Sequence, residues 1–591
     1  MHLHSFLDNR ARTSEAKSVA RRTATPGRLA GQEYPACFAA PTATVSQVRR
    51  SCAALAIIVL AALVAALPAR QAFCAEKPSA PNIVLILADD MGYSDLGCYG
   101  SEIATPNLDG LAQRGLRFTQ FYNTARCWPT RAALMTGYYP QQVRMDPPQG
   151  RAPDWTRTLP QWLKPLGYRC YHSGKWHVPG VPRACADAGF DHSYRLEDHD
   201  RNFNPRNLLQ DDEKLPPVAP GGNYYTATAF ADHTIGCLKE HAAQHADRPF
   251  FAYLAFTTPH FPLHAPAEDI ARYRDKYLAG WEAARAERHR RQKEIGLVRC
   301  ELSRPEPEIR APSGKPEVEK QIGPGEVVYA LPWDSLTAEQ TRLQATKMAI
   351  HAAMVDRIDQ EVGRVLKQIA AMGASDHTLV LFLSDNGASA EVLVRGDGHD
   401  LQAAPGSAGS YLCLGPGWST MCNTPFRRHK IWVHEGGIST PLIVHWPQGI
   451  AARGELRHDV GHVVDIVPTL LEAAGANRGE RPAGAPPLPG HSLVPAFARD
   501  GAVQREYVFF HHQGNRALRM GDWKLVSARD DGDAWRLYDL ARDRGEGRDQ
   551  AAAQPERVRA MAARWQELED EFRRQAGPPP SNPAPKNRRK E

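Results

Sequence analysis

The chain has 591 residues, enough for one large domain with a satellite or for two to four domains. Its 42% hydrophobic and 23% charged residues are those of an ordinary globular protein, which excludes a disordered or fibrous chain. The net charge of +6 is small for this length, and no RNA- or DNA-reading motif accompanies it, which excludes nucleic acid as the main partner.

The first 46 residues are polar and read as an unstructured extension, or as a start set too early, with the true start near Val45 or Val48. Arg49 and Arg50 then precede an apolar run over residues 52–67, followed by small and polar residues. That is the charged, apolar and cleavable order of a signal peptide, spanning residues 47–75 with cleavage near 72–75. The run is short and alanine-rich for a membrane anchor. The mature chain is therefore expected to be exported, periplasmic or secreted, with no stable membrane span.

From Pro81 onward apolar runs alternate with helical stretches, the pattern of an α/β fold. Residues 83–87, 250–256, 378–383 and 442–445 read as buried strands, with 168–172 as a weaker fifth. Residues 269–325 are dense in Arg, Lys and Glu and then proline-rich, which reads as a solvated helix and loop inserted in the catalytic region. A long helix follows. Thr337 and Gln340 form its capping box, and Val355, Ile358, Val362, Val365, Ile369 and Met372 mark its buried face. His351 and Met354 on it read as packing residues. A Gly/Pro/Ala-rich loop over 475–490 marks a boundary. Beyond it, residues 507–510, 517–520, 523–526 and 535–538 read as short strands and 557–574 as a helix. The expected organisation is a catalytic α/β domain over 80–475, an α+β subdomain over 491–576 and a disordered tail over 577–591. Eleven cysteines show no paired metal spacing, which argues against structural zinc, and spacing leaves their pairing open.

Polar residues follow the predicted strands. Asp89-Asp90 ends one, Asp385-Asn386 another, His260 follows a third, and Lys175 and His177 a fourth. Open α/β sheets bind ligands at the carboxyl ends of their strands, so one face would gather these groups. Several carboxylates with an amide suit a hard cation, calcium in preference to magnesium. The strongest local signal is Cys127-Trp128-Pro129-Thr130-Arg131-Ala132-Ala133-Leu134-Met135-Thr136-Gly137. Pro129 fits a first helical turn, which sets Cys127 just ahead of a helix N-terminus, where anions are welcome. A thiol phosphatase would need an arginine six residues after the cysteine. Ala133 stands there, so that reading fails.

These residues resemble the sulfatase family of the alkaline phosphatase superfamily. The C-x-P-x-R run with A-A-L-M-T-G is similar to the signal for oxidising a cysteine to formylglycine. Asn82 to Asp90, Gly174-Lys175-Trp176-His177, Thr258-Pro259-His260-Phe261-Pro262, Ser384-Asp385-Asn386-Gly387, Lys430 and Glu435-Gly436-Gly437 extend the likeness, as do Gly521-Asp522-Trp523-Lys524-Leu525 and Leu537-Tyr538-Asp539-Leu540. The resemblance implies a large, mostly parallel sheet flanked by helices, with a smaller antiparallel sheet plus helix. It implies one calcium ion on Asp89, Asp90, Asp385, Asn386 and modified Cys127. Arg131 would steady the formylglycine, and Lys175, His177, His260 and Lys430 would surround the sulfate. Ser439 departs from the arginine many relatives carry after Glu-Gly-Gly, and Trp128 is bulky where relatives often have a small residue.

The implied activity is hydrolysis of sulfate monoesters, aryl or carbohydrate, after maturation by a formylglycine-generating enzyme. In that reading Asp385 acts as base, His260 or Lys430 protonates the leaving alcohol, with His260 favoured, and His177 assists sulfate release. A phosphonate or phosphate ester hydrolase on the same site, or a non-catalytic calcium-dependent binder of sulfated glycans, are the alternatives. Substrate selection is expected from residues 191–225 and 391–424. His511 and His512 read as exposed strand residues, with a part in substrate selection as the alternative.

Overall fold

The computed structural model describes residues 80–476 and 481–580. The expected extension and signal peptide, and residues 581–591 of the tail, lie outside them. Ten strands build the main sheet: β1 Asn82–Asp89, β2 Leu116–Tyr122, β3 Arg169–Gly174, β4 His192–Leu196, β5 Leu208–Gln210, β6 Glu213–Lys214, β7 Phe250–Pro259, β8 Thr378–Ser384, β9 Ser439–His445 and β10 Glu455–His462. Their order is β10-β2-β9-β8-β1-β7-β3-β4-β5-β6. The centre, β8-β1-β7-β3-β4, is parallel, while β9 runs antiparallel between β8 and β2. The sheet is thus mixed and mostly parallel, as the sequence implied.

All five expected strands are present, and the central ones are buried throughout. A parallel strand covered by helices on both faces must be apolar at every position, which is why these runs were visible. The main helices are α1 Cys127–Thr136, α2 Thr226–Gln244, α3 Gly280–Glu294, α4 Ala338–Ala371 and α5 Pro555–Ala576. On α4, Gln340 N donates to Thr337 Oγ1 at 3.2 Å and Thr337 N to Gln340 Oε1 at 2.9 Å, closing the capping box. His351 is buried on α4 and bonds Asp95 Oδ2 through Nε2 at 3.0 Å. No described helix is long and apolar enough to cross a membrane.

The charged segment differs from expectation. Helix α3 buries Trp281, Arg285, Arg288, His289 and Gln292. Arg288 reaches Asp95 at 2.6 Å and Glu102 at 2.9 Å, so this helix is tied into the sheet framework and is not simply solvated. Charge density alone cannot separate a solvated helix from one whose cations have buried partners.

The second sheet is antiparallel, β11 Val508–His512, β12 Asn515–Met520, β13 Trp523–Ser527 and β14 Trp535–Asp539, and it packs with α5. Buried Lys524 on β13 donates to Glu435 Oε1 at 2.9 Å and Glu546 Oε1 at 2.8 Å, which joins this sheet to the Glu-Gly-Gly segment. Arg544 Nε also donates to Glu435 at 2.9 Å and its NH2 reaches Ser439 Oγ at 3.4 Å. Arg544 thus brings a positive charge beside Ser439. Lys524→Met removes the cation shared by two buried carboxylates and leaves one oxygen of each without it, and is expected to cost about 3 kcal/mol, read by urea unfolding.

Candidate active site

The carboxyl ends of β1, β7, β8 and β3 meet on one rim, and the expected residues converge there. Asp89 ends β1, and Asp90 follows with φ 65°, a left-handed turn that swings its carboxylate back over the sheet. Asp385 and Asn386 follow β8, whose end is held by Asp385 N donating to Ala88 O at 3.1 Å. Gly174, at φ 122°, ends β3; a Cβ there would lie 1.8 Å from Ala255 O, so only glycine lets β3 close on β7 and present Lys175.

Cys127 is the first residue of α1, inside the helix and not ahead of it, with Arg126 as N-cap and Pro129 in the first turn. Its Sγ lies 3.4 Å from His177 Nδ1. Burial pushes the thiol's pKa up against the pull of Lys175 and Lys430.

Buried Arg131 is clamped by carboxylates. Its Nε and NH2 donate to Asp385 Oδ2 at 3.0 and 2.8 Å, NH1 donates to Lys175 O at 2.8 Å, and NH2 is 3.4 Å from Asp89 Oδ2. Lys175 Nζ donates to Asp89 Oδ2 at 2.5 Å and Lys430 Nζ to Asp90 Oδ2 at 2.9 Å. His260 Nε2 is 3.7 Å from the same Asp90 oxygen, and its Nδ1 faces Phe261 O at 2.5 Å. Burial, Lys430 and Lys175 push the His260 pKa well down, whereas Asp90 and Glu391 outweigh burial and push that of Lys430 up.

The donor set fits a hard cation. Asp89 Oδ1 and Asn386 Oδ1 are buried and accept no hydrogen bond from the described residues. Buried oxygens without a donor are costly unless something positive meets them. One ligand atom each from Asp89, Asp90 and His260 lies within 4.8 Å of the others. Asn386 Nδ2 donates to Asp90 Oδ1 at 2.6 Å, which turns its carbonyl oxygen away from that contact. Burial and Asp89 push the Asp385 pKa up to about 7.

Residues that the motifs did not announce stand around this rim. Glu391 is buried and bonds Lys430 at 3.0 Å. The Arg126 guanidinium lies 4.9 Å over Trp128, and the Trp128 ring is 6.0 Å from His177 and 5.1 Å from His512. His512 is buried and bonds Asp146 Oδ2 at 2.9 Å, so the expectation of an exposed strand residue is corrected; half-buried His511 bonds Glu569 at 3.1 Å. Adjacent strand residues face opposite sides of the sheet, and both sides are covered there, by Trp565 of α5 at His511 and by Trp128 at His512. The two expected selectivity segments also meet, Tyr411 Oη donating to Asp200 Oδ1 at 3.1 Å, with the His199 ring 5.5 Å from that of His177.

A mostly parallel α/β sheet that carries a carboxylate cluster, buried cations and a helix-start cysteine on its carboxyl rim defines a hydrolase of the alkaline-phosphatase-like fold. Within that class the chain belongs to the sulfatase family. The family model described as Sulfatase matches residues 81–476, and one described as N-sulphoglucosamine sulphohydrolase, C-terminal, matches 427–574. An uncharacterised sulfatase of Schizosaccharomyces pombe is 31% identical over 545 residues, covering 82% of this chain and 92% of that protein. Arylsulfatase of Klebsiella aerogenes is 31% identical over 469 residues, covering 73% and 94%. Among solved structures, Ps i-CgsB in complex with k-i-k-neocarrahexaose matches with TM-score 0.59 and 22% identity, covering 84% of this chain and 94% of that one, a likeness of fold.

Proposed function

We propose that this sulfatase hydrolyses aryl or carbohydrate sulfate monoesters with one calcium ion held by Asp89, Asp90, Asp385 and Asn386 and with formylglycine made from Cys127 by a maturation enzyme. The observation that carries the reading is the bare Asp89 and Asn386 oxygens in a cluster whose charges reach the Cys127 thiol. Calcium would neutralise charge on the sulfuryl oxygens, and the hydrated aldehyde would supply the nucleophilic hydroxyl. Lys175 and Lys430 would bind the remaining oxygens, while Arg131 holds Asp385 Oδ2 in place. Asp385 takes the nucleophile's proton, and His177, beside residue 127, assists release of sulfate. The order of signal peptide and catalytic region supports export before action.

Of the two candidates, His260 is the better proton donor. Lys430, held between two carboxylates, keeps its proton. An imidazole pushed down in pKa gives its proton up readily once the substrate's negative charge has drawn one to Nε2. His260→Ala is expected to lower kcat/KM about tenfold for a nitrophenyl sulfate but about a thousandfold for an alkyl sulfate, whose leaving group needs the proton. Equal losses on both esters would move the role elsewhere.

Peptide mass measurement at residue 127 tests the assignment after coexpression with a formylglycine-generating enzyme. Conversion to the aldehyde with turnover of an aryl sulfate is the expected result. Faster turnover of an aryl phosphate diester or phosphonate would transfer the site to phosphorus chemistry. Binding of sulfated glycan without turnover by converted protein would leave a binder only.

A further inference from the structure

One buried carboxylate beside the sulfate pocket has no part in the reaction described so far. Glu391 is 4% exposed, on the segment that leaves the Asp385-Asn386-Gly387 turn. Its Oε2 accepts from Lys430 Nζ at 3.0 Å and Ser389 Oγ at 3.1 Å. Its Oε1 is 3.6 Å from Arg126 NH2. Burial pushes its pKa up, but Lys430 and Arg126 outweigh burial and hold it at about 2, so the group is charged.

The ammonium of Lys430 therefore has two anchors, Asp90 at 2.9 Å and Glu391 at 3.0 Å. They are not equivalent. Asp90 belongs to the proposed calcium cluster, and an oxygen given to a dication holds an ammonium less well. Glu391 touches none of the proposed metal ligands through any described hydrogen bond or ion pair. A lysine stem is long and flexible, so a cation repelled by calcium would wander without a second fixed partner. The other oxygen of Glu391 faces the residue that caps α1, one position before the nucleophile. A single carboxylate thus links Lys430 to Arg126.

We propose that Glu391 is a positioning residue for sulfate transfer, holding the Lys430 ammonium on the sulfuryl oxygens and tying the Arg126 cap of the nucleophile's helix to the same wall. This rests on Lys430 contacting sulfate as proposed above. Glu391 touches no reacting atom and acts through Lys430.

A double-mutant cycle in calcium-loaded, converted protein reads that dependence. Glu391→Gln is expected to lower kcat/KM for an aryl sulfate about thirtyfold, mainly in kcat. On a Lys430→Ala background the same change is expected to cost less than about twofold, because its route of action is gone. Additive losses would overturn the proposal, as would a Glu391→Gln enzyme within about threefold of the parent. Glu391→Asp keeps the charge at shorter reach and should recover at least about threefold over Glu391→Gln. If Glu391→Gln does not fold, the cycle is run with Glu391→Asp and judged by the same non-additivity. Calorimetric titration of unconverted, calcium-loaded protein with inorganic sulfate gives a readout independent of turnover. Weaker binding by about fivefold in Glu391→Gln is expected from a misplaced ammonium, and tighter binding, the result of merely deleting a negative charge, would overturn the proposal. A parent enzyme that turns over no sulfate ester would sink the reading of the previous section, and the calorimetric comparison would still decide the role of Glu391.

Discussion

Cys127→Ser is expected to fold as the parent does and to lose steady-state turnover of an aryl sulfate by at least about a thousandfold. The side chains differ little in volume, and residue 127 sits at the first position of α1, where its backbone needs nothing from the sulfur. The chemistry differs more. A serine hydroxyl beside Lys175, Lys430 and His177 can still attack sulfur, passing its proton to Asp385 while the alcohol leaves with a proton from His260. What it lacks is the second hydroxyl of a hydrated aldehyde, the group whose deprotonation expels sulfate. The product stays bonded at Oγ. Intact mass after exposure to substrate should therefore show one added sulfuryl group, with a burst of about one alcohol per chain. Steady turnover near the parental rate, or no burst and no added mass, would contradict a nucleophile at this position.

How much of this was legible in the sequence follows from what each signal encodes. Strands β1, β7 and β8 were readable because burial on both faces forces continuous apolar runs. Strands β2 and β10 were not, since polar residues such as Arg117, Gln120, His458 and Asp459 interrupt them near the edge of the sheet. The antiparallel insertion of β9 between β2 and β8 has no local signature at all, because direction is set by the path of the chain. Within the site, Asp89, Asp90, Asp385, Asn386 and Cys127 announced themselves through strand-end position and motif. Glu391 did not. Its only local trace is an acidic residue in an otherwise small and apolar stretch after Asp385-Asn386-Gly387, and its meaning comes from Lys430 and Arg126, brought from 39 residues later and 265 earlier in the chain. His512 failed for the same reason, as its partners Asp146 and Trp128 lie far away in sequence.

The second large effect concerns Asp89 and the metal. Asp89→Ala is expected to abolish stoichiometric calcium and to cut activity by about a thousandfold or more. Asp89 Oδ2 is occupied by Lys175 at 2.5 Å and by Arg131 at 3.4 Å, while Oδ1 is bare. One oxygen thus faces the cations and the other is the proposed ligand, so the substitution would remove a ligand, the carboxylate that Lys175 donates to, and one of the two carboxylates beside Arg131. Asp89→Asn separates the two losses: it keeps a neutral oxygen for the ion but not the charge that holds Lys175. Metal analysis of both purified variants decides, and unchanged calcium content in Asp89→Ala would refute the assignment. The parent should also show a pH signature. Burial and Asp89 push the Asp385 pKa up to about 7, so below that pH the folded protein holds a proton which calcium must displace. Calcium affinity is accordingly expected to fall, by up to about tenfold per pH unit, as the pH drops below about 7 and to level off above it. Asp385→Asn, with no carboxyl to titrate there, should bind more weakly at every pH and lose most of that slope. A parent whose calcium affinity is flat across this range would show that Asp385 holds no proton there.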